Sequence, residues 1–252
     1  MRGRATDLET RTNRSAWRQM SKMRQSDMDL SRFRPQPFLD FLSADQIARL
    51  KAEGYRRKLS DAQFIYSRGD MDPGISIIES GAARAGIYGS EGEFILTSFL
   101  GPGHSFGEFT VFTEVPLSHD ISAVGPTTVI RIPAEKFLEL GQAEPAYLAA
   151  LMRATLMRSH VLLEMLHAIR ILPLVPRVAK FLLILTPPPP AKSKVRFKQS
   201  DLAATIGLSR ASMNRALTDL ENRGLIARHY GAIEVRSVDN LFAWLQHESA
   251  GY

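Results

Sequence analysis

Hydrophobic positions first acquire a regular period at Phe38, where Phe38, Phe41, Leu42, Ile47 and Leu50 recur at the three- and four-residue spacing of a helix. The preceding residues 1–34 are polar, basic and weakly patterned, which predicts a mobile arm. From Phe64 to Ile132 the period shortens, and apolar segments alternate with turn signals. Phe64 to Tyr66 runs into Arg68-Gly69-Asp70, and Ile75 to Ile78 into Ser80-Gly81. Ala82 to Tyr88 runs into Gly89-Ser90-Glu91-Gly92, Glu93 to Leu100 into Gly101-Pro102-Gly103, and Ile121 to Val124 into Gly125-Pro126. Strands this short and this closely spaced predict an antiparallel sandwich or barrel.

Helical spacing returns after Pro133, a residue suited to the first turn of a helix. Glu144 to Arg170 then reads as one long helix with two apolar seams. One seam takes Leu148, Leu151, Thr155, Leu162, Met165 and Ile169; the other takes Met152, Leu156, Leu163 and Leu166. A helix packed only on its own domain needs one stripe, so the second seam predicts a dimer. Pro173 and Pro176 are expected to break the helix and mark a hinge over Ile171–Val175. Arg177 to Leu185 reads as a short apolar helix that Pro187 to Pro190 stops, and Ala191 to Lys194 as a basic loop.

Residues 199–221 are organised as a helix-turn-helix. Leu202, Ala203 and Ile206 share one helical face, Gly207 permits the positive φ of a tight inter-helix turn, and Ser209 is a good N-cap. In the second helix Met213, Ala216, Leu217 and Leu220 form the inward stripe, which leaves Arg210, Ala211, Asn214 and Arg215 on the opposite side. Arginine reads guanine bidentately and asparagine reads adenine, while Ser209 and Ser212 at the helix start can bond phosphate. Two strands around Tyr230-Gly231 make a wing, from which Arg228, His229 and Arg236 can touch the DNA backbone.

Charge sharpens this reading. The formal net charge of the 252 residues is +6, but residues 1–24 and 192–236 each carry +5, leaving −4 for the rest. Two basic ends around an acidic middle point to a polyanion bound by the ends. Cysteine is absent, which removes disulfides, thiolate zinc sites and cysteine nucleophiles from consideration. No apolar run approaches the ~18 residues of a membrane span, and the start has no secretory h-region, so a cytoplasmic location is expected.

Through Gly207-Leu-Ser-Arg-Ala-Ser-Met-Asn-Arg-Ala-Leu217 and Gly101-Pro-Gly-His-Ser-Phe-Gly-Glu-Phe109, the chain resembles the Crp/Fnr family over residues 38–247. The resemblance implies an α+β chain: an antiparallel β-roll sensor of the cyclic-nucleotide-binding type, a long dimerisation helix and a C-terminal winged helix-turn-helix. The corresponding division is an arm over 1–34, a roll over 35–142, a helix and hinge over 143–172 and a DNA-binding domain over 173–252. Ser209, Arg210, Ala211, Ser212, Asn214, Arg215 and Arg228 are the candidate DNA-binding residues. The implied protein is a bacterial transcription regulator that binds double-stranded, palindromic DNA as a homodimer, with RNA polymerase and a small-molecule effector as further partners. The family's two recognition arginines fall on Arg210 and Arg215. Its usual acidic base-reader falls on Ala211, a departure that alters the expected half-site.

The sensor departs further. A family Gly-Glu pair that holds ribose is matched by Gly107-Glu108, followed by Phe109, but the Arg-Ser pair that holds the cyclic phosphate is replaced by Ser118-His119. No arginine lies between Arg84 and Arg131, and the purine-facing positions near Leu162 and Leu163 offer hydrocarbon. A buried phosphate without a cationic partner is costly, so cyclic AMP is not the expected effector. An iron–sulfur version of the sensor would need cysteines. Haem would need an axial ligand, for which His104 and His119 are the candidates in the roll, and no cofactor is expected. His119 beside Asp120 is a candidate for titration near neutrality.

Two other readings compete. Gly101-x-Gly103 with Gly107 lacks the spacing and the βα unit of a phosphate-cradling loop, and the successive residues Ser118, His119 and Asp120 alternate faces of a strand and cannot converge as a triad. No enzyme activity is expected. A cyclic-nucleotide-like module acting on a protein partner would explain the roll and leave Arg210, Asn214 and Arg215 without a purpose. In the family an acidic residue stands in the hinge where this chain has Pro173, and a stiffened hinge predicts DNA binding without an added ligand.

Overall fold

The computed structural model describes residues 35–90, 92–186, 194–195 and 199–249. The expected arm, the Pro187–Pro190 stop and residues 191–193 of the basic loop lie outside these. A 3-10 turn at Phe38–Phe41 leads into α1 (Ala44–Ala52), which Ser43 starts with a capping box. The hydroxyl of Ser43 accepts the Gln46 amide, and the Gln46 side chain accepts the Ser43 amide at 2.8 Å.

Six strands follow: β1 (Tyr55–Leu59), β2 (Phe64–Tyr66), β3 (Gly74–Tyr88), β4 (Phe94–Leu100), β5 (Ser105–Phe106) and β6 (Asp120–Pro133). They form one antiparallel sheet in the order β1-β6-β3-β4, with β2 added to β6 and β5 to β3. Two expected turns are bulges inside long strands. Ser80-Gly81 sits within the 15 residues of β3, where the register against β6 slips on either side of Ser80. Gly81 has φ +81°, and a Cβ there would stand 2.4 Å from the Pro126 carbonyl oxygen. Gly125-Pro126 is likewise interior to β6, with Gly125 at φ +70°. Bulges bend a strand without ending it, which is how two strands curl into a roll. β1 carried no signal because Arg56, Arg57 and Lys58 occupy its centre; only Leu59 is buried.

Between β5 and β6 lies the short α2 (Glu108–Phe112), and α3 (Ala134–Ala143) leads to the long α4 (Ala146–Ile171). The inner face of α4 is Tyr147, Ala150, Leu151, Ala154, Val161, Met165 and Ala168. Alanines at 150 and 154 let the helix lie close on the roll, Ala168 packs into the core shared with α5, and this rotates the buried face from the one that large residues alone mark out. Leu162 and Ile169, expected on the inner seam, are 52% and 38% exposed. They extend the open seam of Met152, Leu156, Leu163 and Leu166, each at least half exposed in the single chain.

At the hinge α4 ends on Leu172, and Pro173 is the N-cap of α5 (Leu174–Leu185). Pro176 therefore does not break a helix; it sits in the first turn of α5, where its missing N–H has no intrahelical acceptor. The Arg177 guanidinium donates to the Leu172 carbonyl at 3.0 Å, and Lys180 Nζ, almost fully buried, pairs with Glu164 of α4 at 2.6 Å. These contacts pin α5 against α4.

The remaining elements are β7 (Lys194–Val195), α6 (Gln199–Ile206), α7 (Arg210–Asn222), β8 (Ile226–His229), β9 (Ala232–Val235) and α8 (Val238–Ser249), with the antiparallel order β7-β9-β8. Leu202, Ile206, Met213, Ala216, Leu217 and Leu220 are buried, as their spacing implies. One apolar core runs from this winged unit through α5 and the end of α4 to Phe94 and Leu96 on β4 of the roll. A cross-link accompanies it: the Leu96 amide donates to Thr205 Oγ1 at 3.0 Å.

Candidate functional site

Two sites emerge, a surface on the winged unit and a cavity in the roll. The surface is built locally. Gly207, at φ +70°, turns the chain between α6 and α7, and Ser209 caps α7 by accepting the Ser212 amide at 3.1 Å. With Met213, Ala216, Leu217 and Leu220 facing inward, Arg210, Ala211, Asn214 and Arg215 stand exposed on the first turns of α7. Neither Arg210 nor Arg215 makes a hydrogen bond or ion pair among the described residues, so two guanidiniums are left to a partner.

Arg228 is placed differently from the expectation of a free phosphate contact. Its backbone N–H and its Nε both donate to the Glu221 carboxylate, at 2.9 and 2.7 Å, and its Nη1 donates to Asn214 Oδ1 at 2.9 Å. Those Arg228 bonds hold the Glu221 carboxyl below the usual carboxylate range, the backbone N–H first. His229, also expected at the backbone, faces Glu234 across the wing at 2.9 Å, while Arg236 is exposed.

Gly107, Glu108, Phe109, Ser118 and His119 surround one cavity of about 190 Å³ between the roll and α4. Gly107 at φ +97° caps α2 and lies so close to β3 that a Cβ would meet the Gly74 carbonyl oxygen at 2.5 Å. The cavity contains an arginine after all. Arg158 of α4 pairs with Glu108 and donates to the Ser105 carbonyl at 2.9 Å, and burial lowers its pKa to about 10. Glu108 Oε2 is buried without a hydrogen-bond partner among the described residues. Thr155 and Ser159 join Leu162 in the lining, so the helix side is not purely hydrocarbon, and Leu163 is not part of it. A gap in the seam Leu151, Thr155, Leu162, Met165 signalled Arg158: the heptad position between Thr155 and Leu162 is residue 158.

His119 is biased toward its neutral form. Burial and the charge of Arg68 hold it below its ordinary range against the pull of Asp120, which instead accepts the Arg68 amide. The Ser118 hydroxyl and His119 Nδ1 are hydrogen-bonded at 2.7 Å. Arg158 is thus the one cation among the lining residues, and Glu108 already engages it. His104 is turned away from an axial-ligand role, with its ring nitrogens 3.0 and 3.1 Å from the carbonyl oxygens of Gly101 and Pro35.

Both parts of the chain are similar to known proteins. A cyclic nucleotide-binding domain model matches residues 56–144, and a Crp-like helix-turn-helix domain model matches residues 176–244. The cAMP-activated global transcriptional regulator CRP of Salmonella typhimurium is 27% identical over 174 residues, 67% of this chain and 83% of that protein. Lysophospholipase nte1 of Aspergillus oryzae is 27% identical over 108 residues, but the chain spans only 7% of its length. The c-di-GMP responsive global regulator CLP of Xanthomonas campestris shares the fold, with a TM-score of 0.62 at 20% identity over 77% of this chain and all of that one.

Proposed function

The chain belongs to the Crp/Fnr family of DNA-binding transcription regulators, and on that premise we propose that it acts as a homodimer on palindromic DNA. The observation that carries this reading is the pair of exposed guanidiniums of Arg210 and Arg215 at the start of α7, unpaired among the described residues. An α-helix fits the major groove, and arginine is the commonest bidentate reader of guanine. Residues 35–142 then form the sensor, 143–172 the dimer helix and hinge, and 173–252 the DNA-reading domain. Met152, Leu156, Leu163 and Leu166 pair with the same residues of a second subunit. Half-sites about one helical turn apart, ~34 Å, follow from that symmetry, and RNA polymerase is the partner that reads the bound dimer.

The effector is a molecule other than cyclic AMP. A cyclic phosphate seated at Ser118 and His119 would meet a hydroxyl and an imidazole whose protonation burial opposes, and Arg158 would have to leave Glu108 to reach it. An unpaired buried charge costs several kcal/mol. Cyclic AMP in a thermal-shift titration is therefore expected to leave the melting temperature in place, and tight stabilisation would refute this.

Selection from a random DNA pool tests the main reading, with the Arg210→Ala/Arg215→Ala protein alongside. The native protein is expected to recover a palindrome that the double variant binds at least a hundredfold more weakly. Equal, weak and salt-labile binding by both proteins would refute it.

A further inference from the structure

We propose that Asn214 is a specificity-determining residue that enters the major groove as a hydrogen-bond donor, oriented by Arg228, and selects guanine over adenine at its base pair in each half-site. The inference rests on the DNA-reading role of α7. Arginine can only donate, so the Asn214 atom that Arg228 Nη1 meets at 2.9 Å is the carbonyl oxygen, and the amide NH₂ is the end left to a partner. Reading adenine bidentately requires Oδ1 to accept from N6 while the NH₂ donates to N7. Oδ1 has a second lone pair, but the guanidinium beside it carries the same sign of charge as the adenine N6 hydrogens. The major-groove edge of guanine, with N7 and O6 both acceptors, is attracted by that charge and by the NH₂ together.

The clamp is anchored from behind. Glu221 on the last turn of α7 accepts both the backbone amide and the Nε of Arg228, and both side chains are about two-thirds buried. Arg228 thereby spans from the end of the recognition helix to its start, and the wing strand β8 sets the direction in which Asn214 points. Arg228 is the positioning residue, and its effect is confined to one base pair.

The test is pool selection at fixed salt with the full-length protein, followed by competition between two duplexes that differ only at the position Asn214 reads. Native protein is expected to prefer guanine there by roughly tenfold. Asn214→Asp keeps a partner for Arg228 but offers no donor, so the guanine preference should vanish at this position and persist at the others. Arg228→Ala frees Oδ1, and adenine should rise to equal or exceed guanine. Adenine in the native site would overturn the proposal. So would an Arg228→Ala protein weakened equally on every sequence, with its salt slope reduced by about one, since that marks a phosphate contact. Should Arg228→Ala misfold, Asn214→Asp reads the same position alone. A native protein that selects no palindrome and matches Arg210→Ala/Arg215→Ala overturns the parent reading as well.

Discussion

The recognition surface and the roll cavity handle polar groups in opposite ways. On α7, Arg210 and Arg215 are exposed and without a partner among the described residues, so removing one leaves no buried orphan there. In the cavity, Glu108 and Arg158 come from α2 and α4, 50 residues apart, and each neutralises the other out of solvent. A surface reader tolerates substitution structurally and is sensitive functionally; a buried pair is the reverse. The same contrast separates the two faces of α4, one closed by the roll and the other open.

The strongest way to break the contrast is to charge the open face. Leu156→Glu/Leu163→Glu should weaken self-association by roughly a thousandfold or more, because each charge would be buried opposite its own copy. Sedimentation at micromolar concentration is expected to show a monomer with unchanged circular dichroism. Next, Arg158→Ala should cost about 3 kcal/mol in denaturant unfolding, since it leaves Glu108 buried and unpaired. Adding Glu108→Gln should recover most of that loss; failure to recover would mean Arg158 acts through packing alone.

Smaller still is Thr205→Val, which deletes the hydroxyl that accepts the Leu96 amide while preserving shape. About 1 kcal/mol of stability should be lost, with faster hydrogen exchange at Leu96. The mildest effect concerns His104. Burial lowers its pKa against the pull of the backbone groups of Pro35, Gly101 and Pro102, so the folded state prefers the neutral ring. Its contribution is present above the unfolded value of 6.5 and declines as pH falls below it toward the lowered folded value. The slope of stability against pH in that window should flatten in His104→Gln.

How much of this was legible follows from how locally each feature is encoded. The helix-turn-helix was readable because its stripe, its turn glycine and its cap lie within two dozen residues. β1 was not, because Arg56, Arg57 and Lys58 mask the alternation. Ser80-Gly81 and Gly125-Pro126 carry turn chemistry, yet pairing of β3 with β6 across them continues both strands. The five cavity residues read from sequence do surround one cavity, while Arg158 stood in plain view as a missing heptad position. The arrest of Arg228 by Glu221 was out of reach, since nothing in a single helix or strand period relates a wing residue to the end of α7.

The core shared by Phe94, Leu96, Leu202 and Ile206 has a kinetic consequence. Because the winged unit is seated in the same apolar mass as β4, it cannot pivot by small degrees; it must leave one packed seat before taking another. Such all-or-none reseating belongs to the microsecond-to-second range, slower than side-chain motion. A regulator built this way changes the seat of its winged unit more slowly than its side chains move, and brief fluctuations elsewhere in the fold leave that seat unchanged.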